Sequence, residues 1–283
     1  MDTEKLFEFW MANMTYGWLK QAELKIMGGE PTIHPEFLSV ASLAIQLFNR
    51  VTLFTNGTNL DVITNPDILA AHWGDKFKFI INAFTFDIEA GWQQWGKYYK
   101  KASFHFVLGE KETIDKAKLL AKCIAPVQAH FILSGDTQIN IFDDRYLGEY
   151  RVRYIESLIE IIQALRAYGH TYSFDHVFPQ CFWTQKMISD LAENDIEPVH
   201  LEERRCCDKI LGLLDTNFDL WYCNQTRLKI GNVFVNGKPR TMAEIHRMLR
   251  DMPMQKQQQV ILDKCMDCPA AITCKTACWF KHA

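Results

Sequence analysis

Cysteine is missing from the front of this chain: none occurs before Cys123, and seven of the nine lie after residue 200. That distribution excludes a disulfide framework of the kind that staples short secreted chains, and it points to metal ligation concentrated in the tail. A surplus of positive charge is missing too. Lys+Arg 31 against Asp+Glu 34 gives a formal charge of -3, without the basic excess of a nucleic-acid binder. No apolar run is long enough to span a bilayer. Met1 to Lys5, followed by the amphipathic stretch Leu6–Trp18, has neither the basic nor the apolar region of a secretory signal. The expectation is a cytoplasmic protein with no membrane and no nucleic-acid partner. Internal repeats and low-complexity tracts are also absent.

What is present is core material: 283 residues at 48% hydrophobic content suffice for one large α/β domain and a small second module. Helical periodicity is read at Thr3–Tyr16, Pro35–Phe48, Pro66–Trp73, Ile88–Lys100, Glu112–Cys123 and Glu149–Tyr168. Extended patterns are read at Ala22–Met27, Arg50–Thr55, Phe77–Ala83, Ala102–Leu108, Val127–Leu133 and Thr171–Val177. The alternation predicts a parallel α/β array over residues 1–180. Periodicity breaks from Phe178 to Glu203 around Pro179 and Pro198, and a cysteine-rich module follows over residues 200–283. Cys123 and Cys181 stand among apolar residues and are read as core thiols.

The strands alternate apolar and polar residues where a sheet buried on both sides would be apolar throughout. Phe77, Phe79 and Ile81 oppose Lys78 and Asn82; Phe104 and Phe106 oppose Ser103 and His105; Ala129 and Phe131 oppose Gln128 and His130. A closed barrel packs its interior with branched side chains, so a polar inner face favours an open, partial barrel with a cavity. Hydrogen-bonded core histidines are the other reading of His105 and His130.

Two motifs carry chemistry. Gly28-Gly29-Glu30-Pro31-Thr32 puts two glycines and a carboxylate at the end of a strand, where backbone can approach a ligand and Glu30 can grip an ammonium group. A tight structural turn is the plainer reading. Cys265-x2-Cys268-x5-Cys274-x3-Cys278 is the stronger signal, since four closely spaced thiolates suit tetrahedral zinc or an iron–sulfur cluster. Zinc sites more often use two Cys-x2-Cys pairs, which this spacing is not.

The first motif, with Pro35-Glu36-Phe37 and Val51-Thr52-Leu53-Phe54-Thr55-Asn56-Gly57-Thr58, resembles the second and third strands of the radical-SAM partial barrel. The resemblance implies that Gly28, Gly29 and Glu30 hold the amino group of S-adenosyl-L-methionine (SAM), that Thr55 and Asn56 lie at the next strand end, and that Asn82 helps bind the cofactor. The tail resembles the SPASM domain, with Cys207 and Cys223 as the earlier pair, a hairpin at Asp215–Cys223 in which Phe218 replaces the usual glycine, and Lys229–Phe234 following. By that likeness Cys207, Cys223 and Cys278, with Cys206 as a further candidate, serve one auxiliary [4Fe-4S] cluster, and Cys265, Cys268 and Cys274 serve another. A further family cysteine is not found in the sequence, which leaves His282 as a replacement ligand, a substrate-exposed open iron or a missing second cluster as the alternatives.

The motif Cys-x3-Cys-x2-Cys that holds the SAM-cleaving cluster occurs nowhere in the sequence. The resemblance places that loop and the first strand ahead of the helix Thr3–Tyr16. It implies a SPASM-type oxidoreductase or maturase acting on a peptide or protein substrate, served by an electron-donating reductase, with this chain inactive alone. A non-catalytic peptide- or partner-binding protein and a zinc-stabilised scaffold are the rival expectations.

Overall fold

The structure is a computed structural model describing residues 1–14, 17, 19–59, 62, 64–83, 102–109, 111–126, 129–135, 144–175, 182–196, 212–221 and 229–251. Its fold class is α/β. Six strands, β1 Glu23–Ile26, β2 Arg50–Thr55, β3 Phe77–Asn82, β4 Ala102–Val107, β5 Ala129–Ser134 and β6 Thr171–Asp175, form one sheet in sequence order, every neighbouring pair parallel. Seven α-helices are found among the described residues: α1 Thr3–Asn13, α2 Phe37–Leu47, α3 Pro66–Trp73, α4 Lys111–Cys123, α5 Asp144–Ala167, α6 Gln185–Glu193 and α7 Met242–Arg250. The strand order never reverses. With right-handed crossovers, such an order sets successive helices on the same side of the sheet, as in part of a TIM-like barrel and unlike a doubly wound sheet.

That single-sided cover explains the alternation in the strands. Val51, Leu53, Phe77, Phe79, Ile81, Phe104, Phe106, Phe131 and Leu133 are almost fully buried, and the register aligns them: Leu53 with Phe79, Phe104 with Phe131, Phe106 with Leu133. Their rings pack on one another, with Phe77 and Phe79 5.1 Å apart and Phe106 stacked on Phe131 at 5.7 Å. Ala41 and Ala44 of α2 are fully buried, small residues that let the helix approach closely. Behind β5, His170 donates from Nε2 to the carbonyl of Ala121 at 2.8 Å and presents its ring to Phe131. On the opposite face Lys78, Asn82, Thr171, Ser173 and Asp175 are exposed and His105 and His130 half-buried.

The chain divides into two compact units: residues 16–136 with 152–175, which hold the sheet, and residues 1–15, 137–151 and 176–283. In the second unit β7 Leu213–Leu214, β8 Asp219–Trp221 and β9 Lys229–Asn232 form an antiparallel sheet, and β10 Phe234–Val235 and β11 Lys238–Pro239 form a hairpin. Asn236 and Gly237 both have positive φ, 51° and 75°, the two-residue turn that matches strand twist. Buried Asn13, at the end of α1, donates to the carbonyls of Phe9 and Arg240 and accepts from Met242 N–H at 2.6 Å. One amide side chain thus joins the end of α1 to the start of α7.

Two expectations are corrected. Cys123 is exposed, because the buried stripe of α4 runs through Ala117, Leu120 and Ala121 toward Ile124, and position 123 falls outside it. The segment 178–203, read as aperiodic, contains α6, started by Thr184 accepting from Met187 N–H at 3.2 Å and buried through Met187 and Leu191. The expected helix at Ile88–Lys100 lies outside the described residues, as does Cys181.

Candidate functional site

Parallel strands deliver their carboxyl ends to one edge, and the loops leaving β1 and β2 meet there. Gly28 and Gly29 leave β1 at φ 100° and 56°, conformations that side-chain-bearing residues rarely adopt. A Cβ at either would meet nothing within 4 Å, so the space over this loop is open. No backbone hydrogen bond among the described residues engages either glycine.

Glu30 turns its carboxylate across to the neighbouring loop. Its Oε1 accepts from Thr32 N–H at 3.1 Å, Thr32 Oγ1 at 2.5 Å and Thr55 Oγ1 at 2.8 Å, while Oε2 accepts from Asn56 N–H at 2.6 Å. Gly57 N–H donates to Thr55 Oγ1 at 3.0 Å, and Thr58 donates through N–H and hydroxyl to the side-chain oxygen of Asn56. Asn59 Nδ2 donates to the carbonyl of Thr32 at 2.7 Å. Gly28, Gly29, Glu30, Thr55 and Asn56 are therefore brought into one site.

The chemistry of this site follows from what is already spent. A glycine-rich loop at a strand end commonly cradles an anion with backbone N–H groups. Here the N–H groups of residues 56–58 are all used internally, and the charge present is the carboxylate of Glu30. What is left open is the backbone of Gly28 and Gly29, N–H and carbonyl alike, beside that negative charge. The charge favours an ammonium group over phosphate.

Asn82 ends β3 on the exposed face and pairs in register with His105 of β4. Ser134 ends β5 between Val107 and Asp175 in register, so Asn82, His105, Ser134 and Asp175 bring polar groups from four adjacent strands to one edge of one face. His105 Nε2 and Ser134 Oγ are 2.8 Å apart, and Ser134, only 2% exposed, also reaches the carbonyl of Phe106 at 3.4 Å. The hydroxyl can donate to Nε2 or accept from it, and either way the short contact fixes the plane of the His105 ring against β5. Nearer the sheet's other edge, His130 bonds Thr171 Oγ1 at 3.0 Å and Ser173 Oγ at 2.8 Å. Burial, and then the charge of Lys78, hold its pKa below the ordinary histidine value.

Thr32, Asn59, Ser134 and Asp175 escaped the sequence reading. For Thr32 the signal was the Glu-Pro-Thr step, in which Glu30 caps the short 3₁₀ turn Pro31–Ile33; Ser134 and Asp175 needed the strand register. Cys206, Cys207, Cys223, Cys265, Cys268, Cys274 and Cys278, with His282, all lie outside the described residues. Among the described residues no group of three His, Cys, Asp or Glu side chains could hold a metal, and no helix is long and apolar enough to cross a membrane. In the smaller unit Phe218 has φ 62°, so it fills the left-handed turn position for which the resemblance expected glycine. No protein-family model matches the chain, and no curated protein matches it significantly.

Proposed function

We propose that this chain is the body of a SPASM-type radical-SAM oxidoreductase or maturase that acts on a peptide or protein substrate. The observation that carries the reading is the open glycine loop with its carboxylate at the carboxyl edge of a singly wound parallel sheet. Gly28, Gly29 and Glu30 fit the ammonium end of SAM in charge and in open space, and Thr55 and Asn56 hold the loop from behind. Asn82, His105 and Asp175 make the adjoining face polar. When bound at a reduced cluster, SAM supplies a radical for hydrogen-atom abstraction. The three thiolates that such a cluster needs are not in this sequence, so the chain by itself lacks that step.

The tail adds the second part of the reading. Cys265, Cys268, Cys274 and Cys278, with Cys223 and Cys206 or Cys207, would hold auxiliary [4Fe-4S] clusters, and an electron-donating reductase would serve them. Anaerobic reconstitution with iron and sulfide tests this. The expected result is bound iron with matching acid-labile sulfide, lost in the double variant Cys265→Ala/Cys268→Ala. Stoichiometric zinc without sulfide would replace the proposal with the metal-stabilised scaffold. Iron loading without any SAM binding would favour the non-catalytic peptide- or partner-binding protein.

A further inference from the structure

We infer that Glu30 is a positioning residue: its carboxylate staples the exit of β2 to the exit of β1, and the glycine loop held by that staple receives the ligand. Only the identity of the ligand, SAM, rests on the proposed function. The staple rests on hydrogen bonds. Oε1 faces three donors with two lone pairs, and Oε2 holds Asn56 N–H at 2.6 Å, so one acceptor direction of the carboxylate is left for anything else.

Burial makes the arrangement costly to lose. Thr32 and Thr55 are each 3% exposed, and both hydroxyls donate to Glu30. Without the carboxylate, two buried hydroxyls and the N–H of Asn56 would lose their acceptor together, and an unsatisfied buried donor costs more than a bond to water returns. Asn59 supplies a parallel link through the Thr32 carbonyl, so the loops stay near one another while the segment at Asn56 is released. Glutamine cannot replace glutamate here. Its amide oxygen can serve the threonines, but its NH2 would face the N–H of Asn56, donor against donor.

Two measurements test the inference on the full chain. Without ligand, amide hydrogen exchange at Asn56 should quicken about tenfold or more in Glu30→Gln and Glu30→Ala, as expected for a lost hydrogen bond to a charged group. Unchanged exchange at Asn56 in Glu30→Ala overturns the staple. The second is titration with millimolar SAM followed by NMR, using Thr55→Val, which removes a staple hydroxyl and no ligand contact. The expected outcome is several-fold weaker binding in Thr55→Val, with the Thr55→Val/Glu30→Gln double variant no weaker than Glu30→Gln alone, because both act through one element. Wild-type binding in Thr55→Val beside lost binding in Glu30→Gln would make Glu30 a direct ligand contact and overturn the proposal. If SAM fails to bind the wild-type chain while Asn56 exchange responds as expected, the staple stands and the SAM reading falls.

Discussion

His130 shows how the sheet's polar face sets the properties of a single residue. Both ring nitrogens meet hydroxyls, from Thr171 and Ser173 of β6, with Ser103 of β4 beside it in register and Lys78 on β3. Burial first, and Lys78 second, lower its pKa. A histidine that resists protonation in the fold leaves the unfolded chain to take up the proton first. The contribution of His130 to stability is therefore complete above the unfolded histidine value of about 6.5. It declines as pH falls below that value and levels off once the folded imidazole also titrates. Replacing Lys78 with Met should raise the pKa of His130 in an NMR titration of its ring protons. A pKa that stays put would remove Lys78 from the cause. At the same scale, Ser134→Ala should remove the partner of His105 Nε2, seen as a change in the ring nitrogen shifts, while an unchanged spectrum would mean that Ser134 does not orient the ring.

Elements differ in how plainly the sequence announces them. β2 and α3 lie where periodicity puts them, Arg50–Thr55 and Pro66–Trp73, because local signals agree: Asn65 caps α3 through Asp67 and Ile68 N–H, and Pro66 opens it. Helix α6 was hidden by the prolines on either side of it. Helix α7 was open to notice, since Thr241 and Glu244 form a capping box ahead of it. Thr241→Ala should cost about 1 kcal/mol of stability, read as a lower urea midpoint; an unshifted midpoint would show that packing of Met242 and Ile245 alone holds the helix. Phe218 presents a sharper contest. Its left-handed backbone is worth relieving by about 1–2 kcal/mol, but its ring is buried against Phe234 at 5.3 Å, and removing such a ring costs about 3–5 kcal/mol. Phe218→Gly should therefore be net destabilising, and a more stable variant would show that strain outweighs packing here. The Gly28–Glu30 and Thr55–Asn56 motifs were legible because each is contiguous in the chain. The group of Asn82, His105, Ser134 and Asp175, which spans two adjacent register rows, was not, because four strands must find their register before those residues come together.

At the scale of the whole molecule, metal and fold should be linked through the tail. Ligand-rich modules gain folding free energy from the metal they bind. Anaerobic loading with iron and sulfide should raise the thermal midpoint of the chain, and Cys265→Ala/Cys268→Ala should abolish the increase. Equal midpoints for loaded and unloaded protein would separate the tail's chemistry from its stability. The uninterrupted strand order has a consequence of another kind. Because every parallel pairing among the described residues joins consecutive strands, none of these pairings must wait for a distant part of the chain, and loop-closure entropy stays small at each addition. Such a sheet can grow by accretion, one strand and crossover at a time, from any pair that forms first. Beyond β1 and β6, the outer strands of the described sheet, evolution or design could add or remove a unit without re-routing the rest.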